Sequence, residues 1–122
     1  MAMIIQEQAE GLAREWVEAW NRHDLEGIVA HYSDSVVLSS PRVVDLLGDP
    51  EGALEGKDAL RAYFDRGLKA IPDLKFELLD VLTGVDGLTI YYGNQTGRHV
   101  AEIMSLDDRG LVSRVTVHYG PG

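Results

Sequence analysis

The sequence predicts an α+β fold in which helices gather on one face of a mostly antiparallel sheet. Three observations carry that reading. Apolar residues recur at steps of three and four over residues 4–21, 25–32 and 57–71, the period of helices with one buried face. Three turn signals, Gly84-Val85-Asp86-Gly87, Thr96-Gly97 and Asp107-Asp108-Arg109-Gly110, divide the rest into strands near 75–83, 88–96, 98–106 and 111–119. Connections this short require antiparallel neighbours, and helices that precede a run of strands cover one face of the sheet.

The first helix presents Ile5, Ala9, Leu12, Ala13, Trp16, Val17 and Trp20 as one apolar stripe. Asp24 is suited to N-cap a second, short helix, because its carboxylate can accept from a free backbone N–H of the first turn. Leu25, Ile28, Val29 and Tyr32 form that helix's stripe, and Ser33-Asp34-Ser35 stops it. Val36 to Ser40 reads as a short strand ended by Pro41. Residues 41–56 contain Pro41, Gly48, Pro50, Gly52 and Gly56 and read as a loop. Val43, Val44, Leu46 and Leu47 lie inside it and are expected to pack down like a lid. The helical period returns through Leu60, Tyr63, Phe64 and Leu68 and ends at Ile71-Pro72.

The C-terminal strands carry the chemistry. Side chains alternate faces along a strand, so Val100, Glu102, Met104 and Leu106 share one side. Glu102 is thus an acid in an apolar row. It is either a strand glutamate open to water or a desolvated carboxyl whose raised pKa keeps it protonated as an acid or donor. In the strand at 111–119, Leu111, Ser113, Val115, Val117 and Tyr119 are read as one face, with Arg114, Thr116 and His118 on the other. Ala101 and Ile103 leave the second sheet face partly apolar, which predicts a partner chain, here a homodimer.

Composition narrows the function classes. The 122 residues suit one domain, 1–122, with one core. A formal net charge of −9 argues against a nucleic-acid or anionic-membrane partner, since both need a basic surface. The absence of cysteine excludes disulfides, thiolate metal sites and a cysteine nucleophile. The N-terminal residues lack the pattern of a signal peptide, and no apolar run approaches the ~20 residues that span a bilayer, so a cytoplasmic location is expected. His23, His31, His99 and His118 show no metal-ligand spacing, and no glycine-rich phosphate loop is present. Neither metal nor cofactor is expected.

Trp16, Trp20, Tyr32, Phe64, Tyr91 and Tyr119 are candidates to line a cavity beneath the sheet, with Ser40 at its edge and Glu102 as the catalytic candidate. For any single aromatic, plain core packing is the competing reading. Collectively they favour a cavity, because buried Tyr and Trp carry polar tips that need partners, and a concave apolar site with few polar groups is the usual small-molecule site.

The segment from Trp16 through Trp20-Asn21-Arg22-His23-Asp24-Leu25 to Val36 resembles the helix-turn-helix opening of the nuclear transport factor 2-like superfamily, also called SnoaL-like or cystatin-like. Glu55-Gly56-Lys57-Asp58-Ala59-Leu60 is similar to the start of the family's third helix, and Leu106 to Arg114 to its final hairpin. The resemblance implies a cone-like, curved, mostly antiparallel sheet wrapping three N-terminal helices. The superfamily includes isomerases, dehydratases, epoxide hydrolases, polyketide cyclases and non-catalytic transport or assembly proteins.

Among its enzymes, ketosteroid isomerases offer the nearest comparison. Their catalytic tyrosine on the first helix corresponds to Trp16, their proton-abstracting aspartate to Ser40, and a supporting tyrosine to Phe64. Only the acid that donates to the substrate oxygen has an acidic counterpart, Glu102. Serine cannot shuttle the proton at neutral pH, so the steroid-isomerase mechanism is not expected. Limonene epoxide hydrolases place an arginine two residues before the acid, where this chain has Val100, with Arg98 four residues away. The reading is therefore a protein binding a small hydrophobic or aromatic metabolite. Cofactor-independent isomerisation, cyclisation or dehydration is its candidate chemistry. The alternative is a non-catalytic ligand-binding or dimeric assembly module.

Overall fold

The computed structural model describes residues 4–121. The elements are α1 (Gln6–Asn21), α2 (Leu25–Val29), β1 (Tyr32–Ser39), α3 (Pro41–Leu47), β2 (Ala53–Glu55), α4 (Lys57–Ala70), β3 (Glu77–Thr83), β4 (Gly87–Gly93), β5 (His99–Leu106) and β6 (Val112–Tyr119). The expected α+β fold is present. A curled, unclosed six-stranded sheet runs β2-β1-β6-β5-β4-β3. Every pairing is antiparallel except β1 with β6. The three expected helices are α1, α2 and α4, and they fill the concave face.

α1 is amphipathic because Ala9, Ala13, Trp16, Val17 and Trp20 fall on one side, and all five are buried. The small Ala9 and Ala13 let the helix approach the sheet closely. Its ends are fixed by side chains. The Gln6 amide donates to the Val81 carbonyl at 2.9 Å. At the other end the Asn21 amide donates to the Phe76 carbonyl at 2.9 Å and accepts from the Phe76 N–H at 2.7 Å. α2 is N-capped as expected, with Asp24 accepting from the Gly27 N–H at 3.0 Å.

Four local expectations are corrected. Residues 41–56 are not a loop but hold α3 and β2. Ser40 N-caps α3 by accepting from the Arg42 N–H at 3.3 Å, Pro41 occupies its first turn, and Gly48 ends it at φ 72. Each is an established helix signal, masked by the density of Pro and Gly. Tyr32 belongs to β1 rather than to the second helix, where a break in register separates it from Val37. The alternation read through 111–119 is interrupted. Ser105 pairs Arg114 whereas Leu106 pairs Val112, so the extra residue puts Val112, not Ser113, on the buried face with Val115 and Val117. Finally, His31, read from its place beside the second helix's apolar stripe as solvated, is half-buried.

Candidate functional site

The helices do not fill the concave face evenly. Tyr63, Phe64 and Gly67 of α4 and Ile71 just past its end line a cavity against the sheet. α1 contributes Trp20, β1 Leu38, α3 Arg42 and Leu46, the α4–β3 connection Leu74 and Phe76, and the sheet Tyr92, Val100, Glu102, Val117 and Tyr119. Asn94 and Gln95 also line the cavity. The cavity volume is about 90 Å³, measured over the positions open to water centres. A single water needs about 10–15 Å³ on that measure, so the cavity has room for a compact ligand.

Glu102 lies in this wall and is 7% exposed. Its cross-strand partners are Ile90 and Val117, so aliphatic side chains flank it. Tyr92 sits diagonally across β4 and donates its hydroxyl to Glu102 Oε2 at 2.8 Å. Burial raises the Glu102 pKa to about 7, and the Tyr92 hydrogen bond opposes part of that rise. Of the two alternatives for Glu102, the desolvated carboxyl is the one realised. At neutral pH both of its protonation states are accessible. Burial likewise raises Tyr92 well above the ordinary phenol range, reinforced by the charge of Glu102.

A second polar group gathers beside it. Tyr119 and Tyr63 are both raised, first by burial, and both feel the charge of Glu102. Both are also pulled back by the Ser40 hydroxyl and by the Arg42 cation. The two phenols therefore lie within electrostatic reach of Glu102 and of Arg42. Among the described residues, no three His, Asp or Glu side chains converge to hold a metal ion, and Glu102 is the only carboxylate in the wall.

Of the residues expected here, Trp20, Ser40, Phe64, Tyr119 and Glu102 do meet around the cavity. Trp16 and Tyr32 lie behind the wall: the Trp16 indole donates to the Tyr32 hydroxyl at 2.9 Å, and both are fully buried. Tyr91 is on the opposite sheet face, bonded through its hydroxyl to His99 Nδ1 at 2.9 Å. Its neighbour Tyr92 occupies the cavity side instead. The parity was readable, since Leu88 and Ile90 are apolar where Thr89 is not, and Tyr92 follows their phase. Arg98 does not flank Glu102 but donates to the Gly120 carbonyl at 2.6 Å and lies over the Tyr119 ring. Phe76 and Arg42 carry no local sequence signal; Phe76 reaches the wall because Asn21 holds its backbone.

A family model for a SnoaL-like domain matches residues 13–120. A SnoaL-like protein of unknown function from Burkholderia thailandensis superposes with a TM-score of 0.95 at 39% identity, covering 98% of this chain and 99% of that one. A candidate hydroxylase from Streptomyces galilaeus gives a TM-score of 0.71 at 25% identity, covering 95% and 91%. A candidate ketosteroid isomerase from Kribbella flavida gives 0.73 at 19% identity, covering 95% and 80%. Likeness at that last identity shows the fold alone. No curated protein gives a significant match.

Proposed function

The chain belongs to the SnoaL-like domain family, and on that premise we propose that its cavity binds a compact hydrophobic or aromatic metabolite on which Glu102 performs acid–base chemistry without a cofactor. One observation carries the reading. A carboxyl with a pKa near 7 stands in an apolar wall, held by one phenol. A general acid or base works best with a pKa near the operating pH. Neutral Glu102 can donate to a carbonyl or enolate oxygen; ionised Glu102 can take a proton from carbon or from water. Isomerisation, cyclisation and dehydration are the reaction classes open to one such group. Steroid isomerisation by two acids is not among them, because Ser40 stands where the second carboxylate is needed and its hydroxyl caps α3.

A thermal-shift screen of one- and two-ring compounds, followed by turnover assays, tests the proposal. Glu102→Gln keeps shape and a donor; it should retain binding and lose turnover if Glu102 is a base. If Glu102→Gln and Glu102→Leu both leave binding and turnover unchanged, Glu102 is not the centre of the site.

The second reading is a non-catalytic binding or assembly module. It is favoured by Trp16 and Ser40, whose polar atoms are engaged in structural bonds. Ligand binding with no turnover across the screen would select it. In either case we propose a homodimer through the outer sheet face. Leu82, Thr89, Ile103, Thr116 and Ser39 form one cross-strand row there, and Leu82 and Ile103 are exposed by 52% and 42%. A single monomeric mass in light scattering at all concentrations would refute it. No described helix is long and apolar enough to cross a membrane. We propose a cytoplasmic location, which recovery in an exported or membrane fraction would refute.

A further inference from the structure

Arg42 is the one cation in the cavity wall, whose other polar groups are hydroxyls, the Asn94 and Gln95 amides and the Glu102 carboxyl. Among the described residues no carboxylate lies within ion-pair distance of its guanidinium. Most of the other Lys and Arg side chains are likewise without an ion pair, but they do not line the cavity. Glu102 does not serve, since its ionisation is governed by burial and Tyr92 and not by a neighbouring cation. Around Arg42 stand three hydroxyls that can donate, those of Ser40, Tyr63 and Tyr119. The same cavity is lined by the rings of Trp20, Phe64 and Phe76, which pack edge to face and tilted on one another. The cavity therefore combines a half-buried arginine with hydroxyl donors and an aromatic wall.

We propose that the cavity selects a compact organic acid, seating its carboxylate on Arg42 with the Ser40, Tyr63 and Tyr119 hydroxyls and its apolar body against Trp20, Phe64 and Phe76. This deepens the ligand-pocket reading and rests on it. The planar fork of arginine matches two carboxylate oxygens at once. Its half-exposed position spares it the full cost of desolvation that a deeply buried ion would bear. A neutral isostere meets the same aromatic wall but leaves the guanidinium without an anion. Glu102 lines the same cavity as these phenols.

The test uses matched pairs: benzoate with benzamide, phenylacetate with phenylacetamide, and 2-naphthoate with 2-naphthamide. Each is titrated into the whole protein, following tryptophan fluorescence and the melting temperature. The acids are expected to bind on the order of ten- to a hundredfold more tightly than the amides, the range of a hydrogen bond to a charged group. Arg42→Gln should abolish that preference while leaving the amides' affinity unchanged. Tyr63→Phe and Tyr119→Phe should each weaken the acid alone. Amides that bind as well as acids, or a preference that survives Arg42→Gln, would overturn the proposal while leaving the pocket intact. Should no member of any pair bind, the pocket reading falls and this inference with it. The acid-to-amide ratio of the unmodified protein decides the matter even if an Arg42 variant fails to fold.

Discussion

β5 crosses two unlike halves of the concave face. Toward its C-terminal end Met104 and Leu106 are buried without lining the cavity, and the neighbouring Leu88 and Val112 behave the same way. Toward its N-terminal end Val100 and Glu102 face the cavity. The packed half is apolar and closely fitted; at Gly87 an added Cβ would collide with the Met104 carbonyl. The hollow half holds Glu102, Ser40 and the Tyr92 hydroxyl, together with a Trp20 indole N–H that has no partner among the described residues; the other buried polar side chain, Ser33, lies away from the cavity. A buried donor without a partner costs about 1–3 kcal/mol. One strand thus stabilises the fold at one end and holds destabilising groups at the other, the pattern expected where function and stability compete.

The largest expected effect lies where the halves join. Trp16 packs against Trp20, Phe76 and Tyr92 and bonds Tyr32. Trp16→Ala should cost about 3–5 kcal/mol, read by denaturant unfolding. A loss below about 1 kcal/mol would show that the join is looser than its burial implies.

Next comes the acid. A shift from 4.5 to about 7 means that folded Glu102 binds the proton more tightly than the unfolded chain does. Stability is therefore highest below pH 4.5 on this account and is lost as pH rises through 7, by roughly 3 kcal/mol in full. Glu102→Gln removes the loss. The variant should match the parent near pH 4.5 and exceed it at pH 8. An equal stability gap at both pH values would show that Glu102 is solvated and that the hollow half is not the strained one.

Tyr92→Phe sharpens the contrast at lower cost, about 0.5–1.5 kcal/mol. It removes the bond that holds the Glu102 pKa down, so the carboxyl should titrate above 7 by NMR. A fall would mean that another donor replaces it. Smallest of all, Ile103→Asp on the outer face should change monomer stability by no more than about 0.5 kcal/mol. It should nonetheless split the proposed dimer in light scattering.

The same contrast marks what the sequence could reveal. The packed half obeys local rules: helical stripes placed Ala9, Ala13 and Leu60 in the core, where they are buried. Glu102 was legible because an acid breaks an apolar row. Other parts of the cavity depend on pairing between distant strands. The choice of Tyr92 over Tyr91 depends on β4's phase, and the break beside Leu106 resets β6. Phe76 arrives through a bond to Asn21, 55 residues away. Arg42 enters the wall only because Ser40 and Pro41 start a helix there. No local pattern reports such events.

The parallel pairing of β1 with β6 also has a consequence in time. As the chain leaves the ribosome, β1 emerges with only β2 to pair with, and its other neighbour follows more than 70 residues later. Contacts of that separation form slowly because loop closure precedes their reward. Until β6 docks, β1 and β5 both present open edges, and Glu102 lacks the Val117 and Tyr119 side of its enclosure. The carboxyl should then ionise as an ordinary glutamate. Its acquisition of a neutral-range pKa would be among the last events of folding, a built-in reporter of completion.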